Sequence, residues 1–272
     1  MPTSTSLRFC RSMLFVFSLL GIQSVPTSAR ELRICADQNN LPFSKEDGSG
    51  FENRIASIVA EEMGAQVQYV WHAQRRGFIR TTLNASLCDV VMGVPSGLQM
   101  LKTTRPYYRS SYAFVRRADA QPISSFDDPL LHTLRIGVQL IGNDGVNTPP
   151  VHDLTRRGIV NNVQGFMVQN DYSTHAPQAP IVDAVAKGDI DVGIVWGPTA
   201  GYFAKKQPVA LKVVPILLDP SAIDLALTYD ISMGVRKNDI DLVNCLNRAI
   251  SKRRPQIDAV LDAYGVPRVE TN

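Results

Sequence analysis

Two neighbouring arginines, Arg75 and Arg76, stand just ahead of an apolar helical pattern, with Arg80 one turn after Arg76. Guanidinium groups so placed can grip an anionic ligand through paired N–H donors. Charged residues in such a run more often form a solvated face, so both readings stand. A second polar cluster, Gly142-Asn143-Asp144-Gly145, leads into Thr148-Pro149-Pro150, an N-cap candidate followed by proline at the first helical position. Its backbone N–H groups could meet a carboxylate or phosphate, though an ordinary loop is the plainer reading. The missing GK[ST] ending excludes a nucleotide-type phosphate loop. Trp196 closes an apolar strand pattern, and its indole could stack on a planar ligand or simply fill the core. Phe43, in a polar loop, has the same two readings. No GxSxG, HExxH or GxGxxG motif occurs, and Asp37, Glu52 and Asp144 form no pair by spacing. His72, His132, His152 and His175 lack metal-ligand spacing, so neither catalytic nor metal-binding residues are assigned.

These residues need elements to hold them. Leu32 to Ala36 reads as a strand. Phe51, Ile55, Ile58, Val59 and Met63 recur at helical spacing up to a stop at Gly64. Val67 to Val70 is a second strand, Arg75 to Leu87 a helix, and Asp89 to Gly93 a third strand, apolar enough to be buried on both faces. After a connector at Gln121 to His132 the rhythm restarts. Strands are expected at Leu134 to Gln139, Val163 to Val168 and Asp191 to Trp196, with helices at Ala179 to Gly188 and Thr199 to Lys206. The acidic starts of the two third strands match, as in an internal repeat of one α/β unit. A last strand, Ala226 to Val235, and a helical pattern from Leu242 to Tyr264, broken at Pro255, must dock on the first unit. That gives an α/β protein of two lobes joined by a two-stranded hinge, with crossings near Phe114 to Arg117 and Leu225 to Tyr229. Lobe 1 comprises 30–116 with 225–272, and lobe 2 comprises 117–224. Ligands in open α/β sheets sit beyond the carboxyl ends of the strands. The cleft set is therefore Asp37, Asn39, Phe43, Gln74, Arg75, Arg76, Pro95 and Ser96 from lobe 1, with Asn143, Asp144, Thr148 and Trp196 from lobe 2.

The chain has 272 residues, 44% hydrophobic and 19% charged, which excludes disorder and coiled coil. Arg8 and Arg11, the apolar run Met13 to Ile22 and Thr27-Ser28-Ala29 read as an export signal over residues 1–29. Without it the 28 basic and 25 acidic residues come within one of balance, which offers no case for nucleic acid or an anionic membrane. Cys35, Cys88 and Cys245 remain, an odd number that allows at most one internal bridge in an oxidising compartment. Cys35 with Cys88 is the favoured pair, and three separate buried thiols are the alternative.

Secretion, two lobes, two crossings and the run TRPYY together resemble the type II periplasmic solute-binding proteins of ABC transporters. More specifically, the segments LRICADQNNLPFS, GFENRIA, QRRGFIRTTL, CDVVMGVPSG, TRPYYRSSYAFV, PPVHDLTRRGIV and DAVLDAYGVPR look like the quinoprotein dehydrogenase-associated subgroup, of MoxJ and XoxJ type. The likeness spans essentially the whole mature chain. Amino-acid binders of this fold carry Thr-Pro-Glu-Arg after the third strand, where this chain has Pro95, Ser96, Gly97 and Leu98. In lobe 2 they place an aspartate where this chain has Trp196. With both charge partners gone, a zwitterion would leave its charges unmet in a desolvated cleft, so an amino-acid ligand is disfavoured.

The resemblance implies a periplasmic, non-enzymatic accessory of methanol or alcohol oxidation. It would engage a pyrroloquinoline quinone-dependent alcohol dehydrogenase in activation or maturation, with the cytochrome c of that system a further candidate partner. The quinone belongs to the dehydrogenase, and no cofactor is expected here. Two alternatives remain: a transport receptor for a small non-amino-acid metabolite, and an enzyme similar to cyclohexadienyl dehydratases.

Overall fold

In each half of the chain a Leu-Arg-Ile strand lies parallel to a strand that opens with aspartate, and the charged pair ties the two together. Arg33 Nη2 is 2.7 Å from Asp89 Oδ1, and Arg135 Nη2 is 2.6 Å from Asp191 Oδ1. In both pairs the arginine also donates its backbone N–H and Nε to the second carboxylate oxygen. Hydrogen bonds from Arg135 hold the Asp191 carboxyl below the ordinary carboxylate range. The repeat read from sequence is thus repeated atom by atom.

The computed structural model describes residues 30–141, 147–168, 172–217 and 226–270; the expected export signal, Asn143, Asp144 and Leu225 lie outside them. The first half contains β1 (Arg30–Ala36), β2 (Asn39–Asn40), β3 (Ser44–Lys45), α1 (Phe51–Glu62), β4 (Ala65–Trp71), α2 (Phe78–Thr81), β5 (Val90–Pro95), β6 (Lys102–Thr103) and β7 (Tyr108–Arg117). There follow β8 (Ile136–Leu140), α3 (Pro149–Arg156), β9 (Val163–Met167), α4 (Pro180–Lys187), β10 (Val192–Trp196), α5 (Gly197–Ala204) and β11 (Leu211–Pro215). The chain ends in β12 (Thr228–Val235), α6 (Ile240–Lys252) and α7 (Arg254–Ala263).

Strands run in the order β4-β1-β5-β12-β7-β10-β8-β9. The outer strands of each half are parallel, while β12 and β7 are antiparallel to their neighbours. Strand β7 belongs to both sheets: Tyr108–Ser111 pair with β12, and Tyr112–Arg116 with β10. The first crossing therefore falls between Ser111 and Tyr112, upstream of the expected Phe114 to Arg117. Helices α1, α6 and α7 cover the first sheet through Phe51, Ile55, Leu246, Ile257 and Leu261, all buried. In the second half, Phe114, Leu131, Ile136 and Leu154 fill one core, and Val182, Val185, Val195 and Ala200 another.

Two local expectations are corrected. The helix expected over Arg75 to Leu87 is confined to α2, because Gly77 enters it in the left-handed region and Ser86 leaves at φ 61°. Between them, the Asn84 and Leu87 amides reach back five residues, to Ile79 and Thr82, instead of four. Thr148 precedes α3 as expected, but its hydroxyl donates to the Gln139 carbonyl (2.8 Å) and makes no side-chain cap. It fastens the helix start to the end of β8 instead. Strand β11 was not anticipated.

Behind the two sheets, α5 packs on the segment after α7. A Cβ at Gly201 would run into the Gly265 backbone carbonyl, which cannot swing aside. Tyr202 stacks on Tyr264 (5.6 Å between centroids), and Ser110 Oγ donates to the Pro267 carbonyl (2.6 Å). Gly201→Ala is expected to cost about 1–3 kcal/mol, as overpacking of a tight backbone contact does. A urea midpoint unchanged by the substitution would show that this rear seam bears no load.

Candidate functional site

The loop after β1 crosses to the second half of the chain and is held there by side chains. Asp37, fully buried, accepts hydrogen bonds from the backbone N–H of Asn39 (2.9 Å) and Gln74 (2.7 Å), which joins the loops after β1 and β4. From the second half, the Tyr172 hydroxyl donates to the same carboxylate at 3.2 Å. Burial, with the nearby Asp37 charge, pushes the Tyr172 phenol up to about 12, so it stays a donor. Asn39 Nδ2 donates to the Thr174 carbonyl (2.7 Å), and Gln178 Nε2 to Asn40 Oδ1 (2.6 Å). Lys45 Nζ lies 2.7 Å from His175 Nδ1 and 3.3 Å from the His175 carbonyl. Leu41 is buried in the second-half core beside Ala113 and Ile181. These contacts form a front seam between the halves. Along it opens a groove of about 510 Å3, lined by Gln38, Lys45, Glu46, Asp47, Tyr172 and His175 among others.

Of the sequence-selected residues, Asp37, Asn39 and Gln74 meet at this seam, and Gln74 Oε1 also accepts from Asn40 Nδ2 (2.9 Å). Arg75 and Arg76 are exposed beside it. Phe43 turns away from the seam and packs on Phe51 in the first core (5.4 Å between centroids). Pro95 and Ser96 are exposed at the end of β5, where Ser96 Oγ is 2.6 Å from Ser232 Oγ. Leu98, expected where amino-acid binders carry their clamp arginine, is half-buried against the core around Cys35, Phe78 and Cys88.

Trp196 stands at the joint. Its ring meets Tyr112 and Tyr229 edge-on, at 5.4 and 5.8 Å, and it packs against the cores of both halves. The Trp196 backbone N–H donates to Gln139 Oε1 (2.8 Å), so Gln139 and Thr148 both anchor this end of the second sheet. Three aromatic rings therefore close the joint between the two halves.

Sequence reasoning did not select Asn40, Tyr172, His175 or Gln178. A lone tyrosine or histidine in a polar loop carries no spacing signal that could have found them. Glu52 was noted only as unpaired, yet it is buried beside Tyr107 (hydroxyl to Oε1, 3.4 Å) and Gly93. Burial pushes its carboxyl up to about 8. Among the described residues no group of three or more His, Cys, Asp or Glu could hold a metal ion. No helix among them is long and apolar enough to cross a membrane. Cys35 and Cys88 are joined in a disulfide, and Cys245 is free.

Comparison with known proteins places this geometry. The family described as bacterial extracellular solute-binding proteins, family 3, matches residues 32–265. Protein MoxJ of Methylorubrum extorquens is 34% identical over 90% of this chain and 84% of its own length. The crystal structure of the periplasmic binding protein XoxJ from Methylobacterium extorquens AM1 superposes with TM-score 0.72 at 36% identity, over 88% of this chain and all of that one. That of MxaJ from Methlophaga aminisulfidivorans MPT gives 0.76 at 28% identity, with the same coverage.

Proposed function

Because the chain belongs to the bacterial extracellular solute-binding proteins of family 3, and within them to the MoxJ and XoxJ type with a type II periplasmic binding fold, we propose that it is a periplasmic, non-enzymatic accessory protein of alcohol oxidation. In this reading it engages a pyrroloquinoline quinone-dependent alcohol dehydrogenase, and the cytochrome c of that system is a further candidate partner. One observation carries the reading. Where amino-acid binders of this fold hold the two charges of their ligand, this chain has Leu98 against an apolar core and Trp196 between two tyrosines. Neither replacement supplies an opposite formal charge, and burying a zwitterion without its ion-pair partners is costly.

The two lobes, expected as 30–116 with 225–272 and 117–224 and meeting within β7 between Ser111 and Tyr112, then act as a scaffold whose front seam and rim meet the partner. Gln74, Arg75, Arg76 and Tyr172 supply the exposed polar and aromatic contacts typical of interface anchors. The groove of about 510 Å3 at the seam favours a second reading, a receptor for a small metabolite.

Both readings are tested together. The exported chain, immobilised, should retain purified quinone-loaded dehydrogenase in surface plasmon resonance. In a thermal-shift screen the proteinogenic amino acids should leave its melting temperature unchanged, whereas a tight ligand at a hundredfold excess over Kd stabilises by about 2.7 kcal/mol. Failure to retain the dehydrogenase refutes the accessory reading. A metabolite that raises the melting temperature establishes the receptor, and a stabilising amino acid overturns the argument from Leu98 and Trp196.

A further inference from the structure

Away from the seam, α6 is flanked by two grooves that share Arg248 and Lys252. One, of about 510 Å3, is lined by Arg105, Asn244, Asn247, Arg248, Ser251 and Lys252. The other, of about 350 Å3, includes Arg30, Glu62, Cys245, Arg248 and Lys252. The spacing explains the first: residues 244, 247, 248 and 251 lie on one stripe of a helix, and all four are polar. The apolar positions Val243, Leu246, Ala249 and Ile250 are buried on the other side.

Charge across the two grooves is unbalanced. The one acid lining them, Glu62, is already engaged by Lys252 Nζ (2.6 Å) and Arg253 Nε (2.7 Å). Arg248 Nη2 donates to the Cys245 thiol (3.1 Å), and among the described residues neither the Arg248 nor the Arg105 guanidinium pairs with a carboxylate. Among the described residues several other arginines are matched: Arg33 with Asp89, Arg135 with Asp191, Arg254 with Asp258, Arg268 with Asp262. Asn247 Oδ1 holds the Arg105 backbone N–H (2.8 Å), so the strand-end loop and the helix keep a fixed spacing.

We infer that this face of α6 is a second docking surface, for an extended acidic segment of a partner protein. Arg105 and Arg248 offer planar forks that suit successive carboxylates, and Asn244 and Ser251 flank Arg248 on the same stripe of α6 to bond the segment's backbone. The wider groove has no apolar residue in its lining, which is wrong for insertion into a lipid surface and right for a polar peptide. This inference does not depend on the accessory reading, since the face lies outside the seam.

The test is fluorescence anisotropy of a labelled oligoglutamate peptide with the exported chain at low and high sodium chloride. Binding should weaken steeply with salt. The double variant Arg105→Glu/Arg248→Glu should lose about tenfold or more in affinity, while Lys187→Glu/Lys212→Glu, an equal charge reversal in the second half of the chain, should keep it. All four residues are exposed, and circular dichroism checks that each variant folds. No binding to the peptide, equal loss in both double variants, or binding to phosphatidylglycerol vesicles with none to the peptide would each overturn it. Retention of the dehydrogenase by Arg105→Glu/Arg248→Glu bears on the front seam alone, so the two proposals fail separately.

Discussion

Replacing Cys35 and Cys88 together by alanine is expected to lower the stability of the exported chain by about 4 kcal/mol. The bridge closes a loop with a sequence separation of 53 residues, and in the chain-entropy treatment a loop of that length restricts the unfolded state by about this amount. Both sulfurs are buried with Phe78, Leu83 and Val91, so reduced thiols gain no compensating solvation. The bridge also has a local consequence. Cys35 lies in β1 two residues before Asp37, and Cys88 precedes Asp89, so the bridge pins both ends of the segment that carries Gln74, Arg75 and Arg76. Loss of the bridge should therefore raise hydrogen exchange first in residues 72–87. Urea unfolding of the wild type with and without reductant, and of the double variant, gives the measurement. Curves separated by less than about 1 kcal/mol would show that the unfolded chain is already restricted without the bridge.

The alternation of strand and helix was legible because it rests on apolar periodicity, and Leu-Arg-Ile with a matching aspartate repeats plainly enough to be read twice. The short α2 was not legible: Phe78, Ile79, Leu83 and Leu87 keep helical spacing, and only the backbone at Gly77 and Ser86 ends the helix. Spacing also could not show that β7 is one strand shared by two sheets. Its ten residues are mostly buried without alternation, since both faces are covered. At the seam, sequence located the loops but not the pairings. Asp37 with Tyr172 and Asn40 with Gln178 are separated by more than a hundred residues, and polar pairs at that range follow from how the halves meet. Glu52 was the deepest miss, because a glutamate in the first turn of a helix ordinarily reads as an exposed, ionised group favoured by the helix dipole.

That reading fails on burial, and the difference has a measurable size. Glu52 sits in the first turn of α1 against Gly93, whose φ of +68° and lack of a side chain leave room for the carboxyl. Tyr107 donates to it at 3.4 Å, too long to offset the loss of water, and it is itself held by the Gly93 N–H (3.1 Å). Desolvation dominates, so the folded carboxyl titrates at about 8 against 4.5 for the free group. A raised pKa means that the unfolded chain releases this proton first as pH rises. The stability tied to Glu52 is therefore complete below about pH 4.5, declines between there and about pH 8, and then levels off, about 5 kcal/mol lower. Glu52→Gln keeps the shape and removes the titration. Its amide adds a donor that must be satisfied, a constant penalty on the order of 1 kcal/mol that does not change with pH. Urea unfolding from pH 4 to pH 9 should therefore show the variant the less stable protein at the acid end and the more stable one at the alkaline end. Carboxylates such as Asp89 and Asp191, held low by arginine, contribute equally to both proteins and cancel in the difference. Parallel curves would mean that Glu52 is ionised in the folded state, with water or a counter-charge reaching it beneath Tyr107.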